Sequence, residues 1–133
     1  MDDGINTQQQ YNNSKDSTNF IVYPEWYLHH GLRVADLLIS IEKGKSSEIS
    51  KQILQKNRNV VIITGRINVV ANVIAQVYYT DSVMLRDLIE SIKAIPYVTR
   101  VEFTEVVEII GRKPDNQIEE DVRKLLDSSG SEW

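Results

Sequence analysis

The stretch from Val60 to Ile110 constrains this chain more than any other. It opens on a continuous apolar run, Val60-Val61-Ile62-Ile63-Thr64, followed by a turn at Gly65-Arg66-Ile67-Asn68. A second β-rich run extends from Val69 to Tyr79. After Thr80-Asp81 the period changes, and Leu85, Leu88, Ile89, Ile92 and Ile95 recur at helical spacing. Pro96 stops that helix, because proline cannot donate the next backbone hydrogen bond. Val98 to Ile110 then reads as a strand. Strand, turn, strand, helix, strand is the second half of a split βαβ unit, so one strand and one helix must precede it.

Both are present. Arg33 to Glu42 reads as the first strand, with Ala35, Leu37, Ile39 and Ile41 on one face and Asp36, Leu38 and Ser40 on the other. Lys43-Gly44-Lys45 makes a turn. Ser46 or Ser47 caps the next helix, whose apolar stripe is Ile49, Ile53 and Leu54 and whose first turn carries Glu48, where the helix dipole favours a negative charge. The expected fold is α+β, a ferredoxin-like βαββαβ sheet of the dimeric α+β barrel type. Ahead of it lies a short β-prone lead-in, Phe20 to Tyr23, ended by Pro24. Glu25 to Gly31 is then a loop or a short turn of helix whose two aromatics pack on the domain itself or on a second subunit. After the last strand, Gly111-Arg112-Lys113-Pro114 is a break. Asp115 caps a final helix carrying Ile118, Val122, Leu125 and Leu126 on one stripe, and Asp127 to Trp133 fray.

The faces of the strands point to a partner. Strand two is apolar on both faces, as a central strand covered on both sides reads. Strand three alternates Ala71, Val73, Ala75 and Val77 with Asn72, Ile74, Gln76 and Tyr78. In strand four Glu105 falls in phase with Val101, Phe103, Val107 and Ile109, so a bulge or bend is expected near it. A sheet with helices on one side leaves the other to water. Leu38, Ile74 and Tyr78 are not the residues of a wetted face, and an exposed apolar patch of that kind marks an interface. The simplest partner is a second copy in a two-fold dimer.

Composition limits the chemistry. The 133 residues include no cysteine, which removes disulfides, thiolate metal sites and a cysteine nucleophile. A net charge of −4 disfavours binding to a phosphate backbone by the overall field. The N-terminus has neither the basic region nor the apolar region of a secretory signal, and no apolar run is long enough to span a bilayer. A cytoplasmic protein is expected, with no membrane partner. His29 and His30 are adjacent and point apart in an extended chain, a poor arrangement for one metal. Glu102, Glu105 and Glu108 read as exposed or interfacial charges, and Ser46-Ser47 lacks a His–Asp constellation. Gly65 to Asn68 joins two strands and opens no helix, so it is not a phosphate loop. Lys43 and Lys45 are too few for a nucleic-acid footprint. The residues therefore imply no catalytic group, no metal and no cofactor.

Val61 to Val70 resembles the hairpin of the effector-binding (RAM-type) domain of Lrp/AsnC transcription regulators, which commonly reads hydrophobic-x-Thr-Gly-x-x-Asp-hydrophobic-hydrophobic. Ile92 to Glu102 is similar to that family's Ile-x-x-Ile-Pro-Gly-Val-x-Arg-x-Glu segment, and Tyr23-Pro24-Glu25 with Leu28 and Gly31 resembles its lead-in. Asn68 stands where the family has Asp, and Tyr97 where it has Gly, so this turn cannot take left-handed geometry cheaply. The family's winged helix-turn-helix has no counterpart. The resemblance implies a stand-alone module with residues 1–18 a disordered tail, 19–32 a lead-in strand and loop, 33–111 the effector-binding and oligomerisation domain, and 112–133 a C-terminal helix and tail. It implies a homodimer that can assemble further, for example into an octamer, alone or with full-length paralogues, without DNA binding of its own. A small effector, an amino acid or similar metabolite, is expected at a subunit contact formed by Gly65, Arg66, Ile67 and Asn68 together with Glu102 and Thr104. Turn geometry alone is the competing account of Gly65 and Asn68. Two other functions fit the same fold. One is a small monooxygenase- or isomerase-like enzyme, which calls for a polar cavity lined by His or Asp. The other is a purely structural assembly domain.

Overall fold

The structure, a computed structural model, describes residues 23–67 and 70–128. The expected tail at 1–18, most of the lead-in strand, Asn68 and the last residues of the chain lie outside that range. The elements are α1 (Pro24–His29), β1 (Arg33–Ile41), α2 (Ser46–Lys56), β2 (Val60–Gly65), β3 (Val73–Tyr79), α3 (Ser82–Lys93), β4 (Val98–Val106) and α4 (Asp115–Ser128). The strands form one antiparallel sheet in the order β2-β3-β1-β4. This is the ferredoxin-like arrangement: each helix crosses over a strand that arrives later, so sequence neighbours are not all sheet neighbours.

Alternation decides which face carries the core. Ala35, Leu37, Ile39 and Ile41 of β1 and Val73, Ala75, Val77 and Tyr79 of β3 are buried, joined by Ile49 and Ile53 of α2 and Leu85, Leu88 and Ile92 of α3. Branched and small residues on the strands let both helices approach the pleated surface closely. Asp81 caps α3, its carboxylate accepting from the Met84 N–H at 2.9 Å. Gly44 takes a φ of +88° in the turn between β1 and α2, which a side chain would make costly.

Several expectations are corrected. Strand two is an edge strand, not a central one. Its second apolar face, with Ile62 52% exposed, belongs to the side of the sheet without α2 and α3. Its register shifts between Val60 and Ile62, so Val61 is an extra residue. The connection from β2 to β3 is longer than a tight turn, and β3 starts at Val73. Just before it, the Asn72 side chain accepts from Ile41 N–H at 3.0 Å and donates to Ile41 O at 2.9 Å. An amide side chain replaces the backbone ladder there. Strand four stops at Val106, whose partner Val34 lies one residue from the start of β1; beyond that pair only Arg33 of β1 is left. The bulge on that pair of strands falls at Thr99, where Ser40 faces Arg100 and Ile41 faces Val98, and not near Glu105. Glu105 keeps phase because it is bonded on the helix side, accepting from the Tyr79 hydroxyl and lying 3.5 Å from Arg33.

Capping differs too. Lys45 occupies the N-cap of α2 and makes no side-chain cap bond, so neither serine caps that helix. Asp115 is the first residue of α4, and Pro114 O accepts the N–H groups of Gln117 and Ile118. Tyr97 adopts a φ of 77° after all, retaining left-handed geometry without a glycine. Its carbonyl accepts from Glu42 N–H at 2.8 Å, and Lys45 Nζ sits 4.8 Å from its ring centroid.

Candidate functional site

The sheet face opposite α2 and α3 is the first candidate surface. Antiparallel register sets its rows, because directly paired residues share a face. One row reads Glu102, Leu38, Ile74, Thr64; the next reads Thr104, Asp36, Gln76, Ile62. Leu38 and Ile74 form a half-buried apolar centre with polar neighbours on both sides. Asp36 lies in the second row, and burial raises its carboxyl above the ordinary aspartate range, while the positive charge of Arg66 opposes that rise. Arg66 reaches along the same side, its Nε donating to Thr64 Oγ1 at 2.9 Å. The Asp36–Arg66 relation was not legible beforehand, since it depends on three strands being in register.

One end of this face is covered from within the chain. Tyr27 of α1 stacks on Tyr78 with ring centroids 4.9 Å apart and planes 14° from parallel. The Tyr78 hydroxyl donates to Arg58 O at 3.0 Å, and Val34, paired with Tyr78, is fully buried. Tyr27 of the lead-in therefore packs on its own domain, while Trp26 stays 41% exposed. Tyr78, expected at a dimer interface, already has an intramolecular cover; Leu38 and Ile74 lie farther along.

The hairpin is the second surface. Gly65 pairs with Val73 at the end of β2, has no left-handed φ, and a Cβ built on it meets nothing within 4 Å. Among the described residues, neither backbone conformation nor space requires a glycine there. Arg66 N–H donates to Asn72 O at 2.8 Å, Ser40 Oγ donates to Val70 O at 2.6 Å, and Ile67 is fully exposed. The loop is thus pinned to the end of β1 by Ser40 and Asn72, residues the sequence did not single out. Glu102 and Thr104 lie on β4, at the other edge of the sheet from β2. Three inter-strand spacings, about 14 Å, separate them from Gly65 and Arg66. A single chain therefore holds the Gly65 backbone too far from Glu102 and Thr104 for one small ligand, while the Arg66 charge reaches towards Asp36, the strand partner of Thr104.

A cavity of about 320 Å³ lies beside Tyr79, lined by Leu32, Arg58, Asn59, Tyr78, Thr80 and Met84, with neither histidine nor carboxylate among the described residues of its wall. Burial, followed by the hydrogen bond to Glu105, pushes the Tyr79 hydroxyl well above the ordinary tyrosine range, so it stays a neutral donor. His30 Nδ1 is 2.8 Å from Trp26 O. Among the described residues no three His, Cys, Asp or Glu side chains are grouped to hold a metal. No helix among them is long and apolar enough to cross a membrane.

No family model and no curated protein matches the sequence. Solved structures do match the fold. The transcriptional regulator NMB0573 of Neisseria meningitidis, in complex with L-methionine, superimposes with a TM-score of 0.59 at 17% identity, over 77% of this chain and 68% of that one. Escherichia coli AsnC gives 0.58 at 15% identity, over 74% and 65%. TTHA0845 of Thermus thermophilus gives 0.55 at 18% identity, over 60% of this chain and 99% of that one. The chain has the ferredoxin-like α+β fold of these structures. It spans about two thirds of the length of those regulators and nearly all of the smaller TTHA0845.

Proposed function

We propose that this chain is a ligand-sensing, self-associating module of transcription regulation, without enzymatic activity, that works in the cytoplasm with itself or with full-length paralogues. The observation that carries the proposal is the sheet face that, among the described residues, carries no element but α1 at one end. Leu38 and Ile74 sit there half-buried, framed by Asp36, Gln76, Thr64 and Thr104, with Arg66 at one border. A second copy placed on this face buries the apolar centre and supplies groups that one chain holds too far apart. Gly65, paired with Val73, turns its missing side chain to the α2 side, so Arg66, bonded to Thr64, is the hairpin group that borders this face. The ligand is an amino acid or similar metabolite, met by backbone donors of the hairpin, Arg66 and Asn68. L-methionine, present in the NMB0573 structure, is the first to test.

Thermal melting with each of the twenty amino acids tests this, since a ligand that binds only the folded state raises the midpoint. In calorimetry Asn68→Asp strengthens binding, because a carboxylate pairs with the ligand's ammonium where the amide cannot; the gain is about 1–3 kcal/mol for a desolvated contact. If neither form binds any amino acid while both stay folded and associated, sensing is ruled out and assembly alone is the function. With a net charge of −4, the 133-residue chain is also expected not to bind duplex DNA specifically at physiological salt. A salt-sensitive gel shift at nanomolar protein contradicts that.

A further inference from the structure

α4 is amphipathic, yet none of its residues is buried. Ile118, Val122 and Leu125 recur on one stripe and are 39%, 46% and 69% exposed. The helix is acidic, with Asp115, Glu119, Glu120, Asp121 and Asp127 against Arg123 and Lys124. Its start is anchored. Arg112 bonds Glu25 at 2.6 Å and Asp115 at 3.2 Å and lies 3.6 Å over the Tyr23 ring, while the Tyr23 hydroxyl donates to Asp115 at 3.2 Å. These contacts tie α4 to α1, on the side of the sheet where Tyr27 covers Tyr78.

A second surface in the same chain has complementary properties. A groove of about 440 Å³ runs between α2 and β2, lined by Leu54, Ile63, Gly65 and Val73, with Ser47, Ser50 and Lys51 on its rim. Leu54, from the apolar stripe of α2, is 40% exposed there. The flanking segment from Lys43 to Arg58 is basic: Lys43, Lys45, Lys51, Lys56 and Arg58 stand against Glu48 alone.

We propose that the apolar stripe of α4 docks in the α2–β2 groove of a second copy of this chain. Charge complementarity selects this occupant: an acidic helix with an apolar stripe meets an apolar groove in a basic setting. Anchoring makes the contact intermolecular. The anchor lies on the α1 side of the sheet, near Tyr78. The groove lies on the α2 side, near Val73, about 17 Å along β3. A helix held on one side of a sheet meets a groove on the other side only in another molecule. The contact is separate from pairing through the uncovered sheet face. It joins different patches on the two partners, so it can extend a dimer into a larger assembly.

The absence of cysteine allows a direct test in the full chain. Leu54→Cys and Val122→Cys are both surface replacements, which leave the core intact. Mixed at micromolar concentration and treated with a short bis-maleimide, the two variants are expected to give a cross-linked heterodimer that neither gives alone. Adding Lys51→Glu to the Leu54→Cys chain is expected to cut the yield several-fold. Self-cross-linking of Val122→Cys overturns the proposal in favour of α4 pairing with α4, and no cross-link in the mixture overturns it outright. Repeating the mixture with Ile74→Asp in both chains separates the two interfaces. A heterodimer that persists there shows that the α4 contact stands independently of the sheet face.

Discussion

Tyr97 sits at φ 77°, a region that costs a residue with a Cβ about 1–2 kcal/mol. Two contacts offset this, the Glu42 N–H bond to its carbonyl and Lys45 over its ring, the latter worth about 0.5–1 kcal/mol at an exposed site. Tyr97→Gly removes the strain but loses the cation–π contact and adds unfolded-state entropy of about 0.5–1 kcal/mol. The terms nearly cancel, so urea unfolding is expected to place this variant within about 1 kcal/mol of the natural chain. Tyr97→Ile keeps the strain, adds a β-branch and loses the contact, and is expected to cost about 1–3 kcal/mol. A second residue-scale prediction concerns Asp36. Its pKa is raised by burial, so the folded state binds its proton more tightly than the unfolded chain. The resulting penalty is absent below the unfolded pKa and grows as pH rises through the folded value. Asp36→Asn is therefore expected to raise the melting temperature at pH 7 and to leave it unchanged near pH 3, as read by calorimetry at both pH values.

At the scale of elements, the Arg112 anchor fixes where α4 begins. Arg112→Ala is expected to speed amide exchange across 115–128 while the exchange of β1 and β3 stays as it was; equal rates in α4 contradict the anchor. The Arg112 hydrogen bond holds the Glu25 carboxyl below its ordinary range, so the Glu25 contact persists above that range and is lost as pH falls through the lowered value. The elements themselves were largely legible in the sequence. Ala35 to Ile41 and Ala71 to Val77 alternate, and Leu85, Leu88 and Ile92 recur at helical spacing, because burying one face demands those periods. Strand limits were less legible, since a strand ends where its partner ends: β4 stops at Val106 because β1 supplies nothing beyond Arg33 to meet it. The edge position of β2 was hidden by Ile62, whose apolar side chain faces the uncovered side and imitates a central strand. Glu105 looked like a bulge because its partner, Tyr79, lies 26 residues away. At the candidate site, Leu38 and Ile74 showed as an apolar break in a face expected to be wet. The distance from Gly65 to Glu102 could not show, because it follows from strand order and not from spacing along the chain.

For the whole molecule, the uncovered sheet face makes association the central claim. Ile74 lies at its middle, paired with Leu38 and Thr64. Ile74→Asp places a carboxylate there without touching the core on the helix side. An unpaired charge buried in an interface costs about 3–5 kcal/mol, a weakening of at least a hundredfold. The variant should keep its secondary structure and lose the sheet-face dimer. The most direct measurement is sedimentation equilibrium of the natural chain at micromolar concentration, beside Ile74→Asp under the same conditions. We expect the natural chain at twice its 15.3 kDa mass or a higher multiple, and the variant shifted towards the single-chain mass. A natural chain that sediments as a clean 15.3 kDa monomer contradicts the account.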